Sequence, residues 1–151
     1  MNNFQPKSAD FNKKVRDSFA RQAAMQTLGI RIDTVRPGEV ILALDYDKAL
    51  TQQHGFMHAG IITTGLDSAA GYAAFSLMAD DAAVLTVEFK TNLMSPASGE
   101  RFLFKGIVIK PGRSLTFVEA KAYALNGGQE KLIATMSATM MAVVGRDGIK
   151  G

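Results

Sequence analysis

The chain has no cysteine. That removes disulfides, thiolate metal sites and cysteine nucleophiles together. It also fits a reducing compartment, so a cytoplasmic location is the expectation. The opening stretch, MNNFQPKSADFNKKVRDSF, lacks the apolar run of a secretory signal. Histidine is nearly missing: His54 and His58 are the only two. No block of one charge occurs either. Scattered through the chain, 17 Lys and Arg against 14 Asp and Glu leave a net +3. This is no nucleic-acid footprint, although it suits a small anionic ligand. There is no G-x-S-x-G nucleophile elbow and no glycine-rich phosphate loop. No repeat, low-complexity tract or linker divides the 151 residues, which read as one domain, 1–151, long enough for its own core. Residues 1–9 and 145–151 are expected to fray.

What is present falls into clear periods. Phe11, Val15, Phe19, Ala23 and then Met25 or Gln26 recur near every fourth residue, which predicts one amphipathic helix over 10–28, with Asp10 as its cap. Such a basic helix could lie on a membrane surface, but packing on its own domain is the reading preferred. LGIRIDTVRPGEVILALDYD predicts two strands about Pro37-Gly38, with Val40, Leu42, Leu44 and Tyr46 on one face. Residues 48–58 follow neither period and read as a loop. A long helix is expected over 59–78, where Ile62, Leu66, Ala69, Ala73 and Leu77 form a packing stripe. Its length invites a membrane span. Ala, Gly, Thr and Ser outweigh Leu and Val, however, and a carboxylate, Asp67, sits at its centre, so no span is expected. Four strands follow, in AVLTVEFKTNLM, ERFLFKGIVIK, SLTFVEAKAYAL and KLIATMSATMMAVV, with turns at Ser95-Pro96-Ala97, Pro111-Gly112 and Asn126-Gly127-Gly128. The order describes an α+β domain, an antiparallel sheet against one long helix. Open strand edges in such a sheet often pair across a dimer.

Asp67 is the residue that packing does not ask for. Aspartate is a weak helix former, and burying its charge unpaired costs several kcal/mol. At about 100° per residue it shares a face with Thr63, Ala70, Gly71 and Ala74, small neighbours that let another molecule approach. The bland alternative is an edge aspartate, or one satisfied by Thr63 or Thr64. His58, Ala59 and Gly60 open the same helix, where free N–H groups and the positive dipole end can hold an oxyanion. Asp67 lies about two and a half turns further along, so its partner groups are expected from a second, antiparallel copy of the helix. Gln52, His54 and His58 lie in the feeding loop. Two histidines four apart could suggest a metal, but they lack the shared helix and intervening Glu that such a site needs, and no metal is expected. Lys110-Pro-Gly-Arg-Ser114 is either a solvated hairpin or a phosphate contact.

Together these residues resemble the hotdog-fold acyl-CoA thioesterases of the phenylacetic-acid-degradation type, within the 4-hydroxybenzoyl-CoA thioesterase superfamily. The family pattern is Asn or Gln, then Gly, His-Gly-Gly and an acidic residue nine after the His. Here it runs Gln52, Gly55, His58-Ala59-Gly60, Asp67. LMSPA at 93–97 and KPGRSLTFVEAKAY at 110–123 extend the likeness to about residues 28–144. The resemblance implies a hotdog fold, a sheet wrapped around a central helix. It also implies a homodimer, often paired into a homotetramer, with sites shared between subunits.

The implied reaction is hydrolysis of an aromatic or short- to medium-chain acyl-CoA. No cofactor is implied, since coenzyme A is part of the substrate. Asp67 would be nucleophile or general base, and Gln52 would sit near the thioester or its water. His58 would hold the loop and the thioester end of the substrate, Ala59 and Gly60 would supply N–H groups to the carbonyl, and Thr86 would help orient water. Lys110, Gly112, Arg113 and Ser114 would meet the nucleotide end. Phe56, Met57, Tyr72 and Phe75 would line the acyl pocket. Ala59 departs from the family glycine: the donor survives at ordinary helical φ and is strained at positive φ. A hotdog hydratase or dehydratase and a non-catalytic acyl-CoA-binding module are the rival readings.

Overall fold

A computed structural model describes residues 3–151. Two short helices, α1 (Phe11–Ala20) and α2 (Ala23–Leu28), precede the strands β1 (Arg31–Arg36) and β2 (Glu39–Asp45). A 3-10 turn at Lys48–Leu50 leads to the long helix α3 (Ala59–Phe75), and then come β3 (Ala82–Leu93), β4 (Arg101–Lys110), β5 (Leu115–Asn126) and β6 (Gln129–Val144). The six strands form one antiparallel sheet in the order β1-β2-β4-β5-β6-β3.

The alternation in the strands sets which face is buried. On β5, Thr116, Val118, Ala120, Ala122 and Ala124 turn inward while their neighbours turn out. The β5–β6 hairpin closes through Gly127-Gly128, both at positive φ (54° and 82°), as a two-residue primed turn requires. The helix expected over 59–78 ends at Phe75; its stripe Ile62, Leu66, Ala69 and Ala73 is buried against this face, and Leu77 is buried in the turn just beyond it. Small residues let the two surfaces meet closely. A Cβ on Gly106 of β4 would lie 2.3 Å from the Ala69 carbonyl oxygen, and one on Gly65 would lie 2.5 Å from the Phe104 ring. At Gly106 the obstacle is backbone, which cannot step aside. Gly106→Ala is therefore expected to destabilise the fold by at least about 3 kcal/mol, the upper range of overpacking, read as a fall in the urea midpoint.

Four expectations differ in detail. The helix over 10–28 is two helices, because Gln22 takes an extended conformation (φ −81°, ψ 93°). Neither proline nor glycine marks the break. It is held locally by the Gln26 side chain, whose Nε2 donates to the Ala20 carbonyl (2.6 Å), and it lets both Val15 and Met25 reach the core. Asp10 precedes α1 without a side-chain capping bond. Tyr46 is 44% exposed, beyond the buried run of β2. The segments expected to fray are largely exposed but touch the body of the domain at three points. Phe4 sits against the core, the Lys7 N–H reaches the Leu77 carbonyl (3.3 Å), and Arg21 donates to the Gly151 carbonyl. Residues 1–2 of that expectation lie outside the described range. Among the described residues no helix is long and apolar enough to cross a membrane.

Candidate active site

Asp67 occupies the middle of α3, half-buried, and it is not satisfied by Thr63 or Thr64. Thr64 instead bonds back to the Gly60 carbonyl (2.8 Å). The Asp67 partner is Thr86 of β3, whose hydroxyl donates to Oδ1 at 2.8 Å. A hydroxyl has one proton, so this bond fixes one carboxylate oxygen, and Oδ2 has no partner among the described residues. Burial pushes the Asp67 pKa up, and the Thr86 bond offsets part of the rise. Both residues line a cavity of about 280 Å³ walled by Tyr72, Gly71, Gln22 and Gly151. A Cβ on Gly71 would meet nothing within 4 Å, so the small face beside Asp67 is open space.

The start of α3 forms a second cavity of about 400 Å³, lined by Gln52, Phe56, Met57, Ala59 and Ile62 among others. His58 is the N-cap: its Nδ1 accepts from the Gly60 N–H (2.9 Å), which places the proton of the neutral ring on Nε2. That bond corrects the expectation for Gly60, whose N–H is already taken by the capping imidazole. The Ile61 and Ile62 N–H groups reach the His58 carbonyl (2.9 and 3.2 Å). Of the first four N–H groups of α3, only that of Ala59 lacks an acceptor among the described residues. Among the described residues no non-glycine has positive φ, so the alanine is unstrained and its donor survives. Gln52 uses its Oε1 to accept from the His54 N–H, which folds the loop, and its Nε2 has no partner among the described residues. Nδ1 of His58 is committed to Gly60, and the backbone N–H of His54 is held by Gln52.

Asp67 and Ala59 do not meet within one chain. Eight residues of helix separate them by about 12 Å along the axis.

The turn Lys110–Ser114 lies at the other end of α3. Gly112 and Arg113 line a third cavity, about 450 Å³, together with Phe4, Lys7, Leu77 and Thr116. Its lining holds two cations and no carboxylate, and Thr116, 5% exposed, makes no side-chain hydrogen bond among the described residues. Lys110 and Ser114 flank this wall without lining it. Lys7 and Gln22 were missed from sequence. Lys7 sits in a segment without a period, and the helical period around Gln22 gives no sign of the break that turns it to the cavity.

A pinned, desolvated carboxylate and an open helix-terminal N–H beside a free amide are the parts of an acyl-transfer site. A sheet curled around one long helix carries them, and together these define the hotdog thioesterase class. The model of the thioesterase superfamily matches residues 54–131, and the chain belongs to that superfamily. A crystal structure of a thioesterase family protein from Silicibacter pomeroyi is 64% identical, with a TM-score of 0.88, covering 89% of this chain and 99% of that one. The PaaI protein of E. coli, from the phenylacetic acid degradation operon, shares the fold at 18% identity (TM-score 0.81; 92% of this chain, 97% of that one). A Saccharolobus solfataricus protein provisionally named an esterase is 27% identical over 61% of this chain, and the match spans 65% of that relative's length.

Proposed function

We propose that the chain is an acyl-CoA thioesterase whose site forms between two subunits. The observation that carries this is the Asp67 carboxylate, with one oxygen fixed by Thr86 and the other unpartnered in a cavity. The thioester carbonyl docks on the N–H of Ala59 of the partner subunit, where the helix dipole stabilises the developing oxyanion. Asp67 attacks the carbonyl carbon, or takes a proton from a water that does. The C–S bond breaks, coenzyme A leaves as the thiol, and water supplies the oxygen of the free acid. Nucleophile and base use the same atoms, and the cavity accommodates either. Gln52 Nε2 stands ready to hold the carbonyl or the water.

The edge strand β3 supports the dimer. It carries Thr86, has no strand beyond it, and leaves Val87, Phe89 and Leu93 exposed at 54%, 44% and 58%. Ile107, Ile109, Leu115 and Phe117, exposed on β4 and β5 in the middle of the sheet, suit a further pairing into a tetramer. The nucleotide end of the substrate fits the cationic cavity of Arg113. Ala74 on its wall is seven residues from Asp67, about 10 Å along α3, against about 22 Å from Ala59 of the same chain. Lys7 joins Arg113 there as a second phosphate contact.

A panel of aromatic and short- to medium-chain acyl-CoA and acyl-carrier-protein thioesters, assayed by free-thiol release, tests the reading. Turnover by the wild type is expected. Binding without thiol release would favour a non-catalytic module, and loss of an enoyl chromophore without thiol release would favour a hydratase. Phe89→Lys is expected to halve the sedimenting mass and to lose hydrolysis with it. A fully active monomer would end the shared-site reading.

A further inference from the structure

After β6 the chain turns back at Gly145 and Gly148, both in the left-handed region (φ 68° and 78°), and forms a strap. The strap touches the domain at few points. Gly151 packs so tightly that a Cβ there would lie 2.3 Å from the Ala82 carbonyl oxygen and 2.6 Å from the Phe75 ring. Arg21, at the end of α1, donates from Nη2 to the Gly151 carbonyl and from Nη1 to the Asp17 carbonyl (3.1 Å). Within the strap, the Ile149 N–H reaches the Arg146 carbonyl (3.2 Å). Gly148–Gly151 line the Asp67 cavity of about 280 Å³, and the same four residues line another of about 690 Å³, bounded on its far side by Asp80 and Asp81. They are therefore a partition between two spaces. Ile149 is its one apolar side chain and is half-buried. The Asp67 cavity shares no lining residue with the cavity of Arg113. A thioester held at Asp67, with its coenzyme A arm in the Arg113 cavity, leaves its acyl arm to the partitioned side. About 280 Å³ is less than twice the roughly 150 Å³ that holds benzene, so a short chain fits and a long one meets the strap.

We infer that the strap is a length gauge: Gly148–Gly151, with Ile149 as the bulk and Arg21 as the tether, cap the acyl chain that the Asp67 cavity admits. With the partition in place, the acyl arm is confined to the smaller space. With it thinned or untied, the arm runs on into the larger one. This rests on the thioesterase reading of Asp67 and on the Arg113 cavity taking the nucleotide end.

The test uses the full chain and straight-chain substrates: butanoyl-, octanoyl- and dodecanoyl-CoA, assayed by free-thiol release. In the wild type, kcat/KM should fall by about tenfold or more from butanoyl- to dodecanoyl-CoA. Ile149→Gly thins the partition and should raise the dodecanoyl-to-butanoyl ratio by about tenfold, and Arg21→Met, which unties the strap, should move it the same way. Ile149→Trp thickens the partition and should lower the octanoyl-to-butanoyl ratio by a similar factor. Thermal melting confirms that each variant is folded. A strap that serves only stability would shift all chain lengths equally and leave both ratios intact. The inference fails if the ratios hold in both Ile149 variants, or if the wild type takes dodecanoyl-CoA as readily as butanoyl-CoA. Failure of the parent reading looks different: no wild-type thiol release from any thioester, which sinks both.

Discussion

Asp67→Asn should cost about 10³-fold or more in kcat for thiol release, with the fold intact. Asparagine has the same shape, and its side-chain oxygen can still accept from Thr86, so the position is preserved while the basic and nucleophilic oxygen is lost. The pH profile adds a second reading. The ionised carboxylate is the reactive form, and burial raises its pKa. The acid limb of kcat/KM should therefore fall above the ordinary aspartate range.

The same shift acts on stability in the opposite sense. Between the ordinary and the raised value the folded chain holds the proton that the unfolded chain has released. Stability from this group is thus lost as pH rises through the raised pKa. Asparagine carries no such ionisation cost, so the variant should melt at a higher temperature than wild type at neutral pH. That difference should vanish in acid, below the ordinary aspartate pKa. A variant that melts lower at neutral pH would show that Asp67 serves the fold instead of the reaction.

Asp67 stood out in the sequence because nothing in helix packing explains a carboxylate among alanines and glycines. The stripe from Ile62 to Leu77 and the hairpin at Gly127-Gly128 were equally legible, since period and turn chemistry are local. What escaped was set by tertiary contact. The residues about Gln22 continue a helical pattern, and only the separate seating of Val15 and Met25 in the core splits them. That the imidazole of His58 would consume the Gly60 donor depends on one rotamer. Lys7 joins Arg113 only because the N-terminal segment folds back across Leu77. The departure at Ala59 posed a conditional question in sequence, and the ordinary backbone there answers it.

Ala59→Pro isolates the proposed oxyanion donor without disturbing the helix that carries it. Proline is favoured at the first position of a helix because its missing N–H is not needed there. His58, at φ −61° and ψ 136°, already has the extended conformation that a following proline demands. The Ala59 N–H bonds to nothing among the described residues, so its removal breaks no contact in the fold. Stability should stay within about 0.5 kcal/mol of wild type, while kcat falls about 10²–10³-fold, the effect of deleting one oxyanion donor. Ala59→Gly keeps the donor and should keep the activity. Co-expressing Ala59→Pro chains with Asp67→Asn chains then asks where the two halves of the site reside. In a mixed dimer, the donor of the Asp67→Asn chain faces the carboxylate of the Ala59→Pro chain, which restores one site of two. Half the dimers are mixed at equal expression, so about a quarter of wild-type activity should return. If donor and carboxylate belonged to one chain, no mixture of the two variants would recover any.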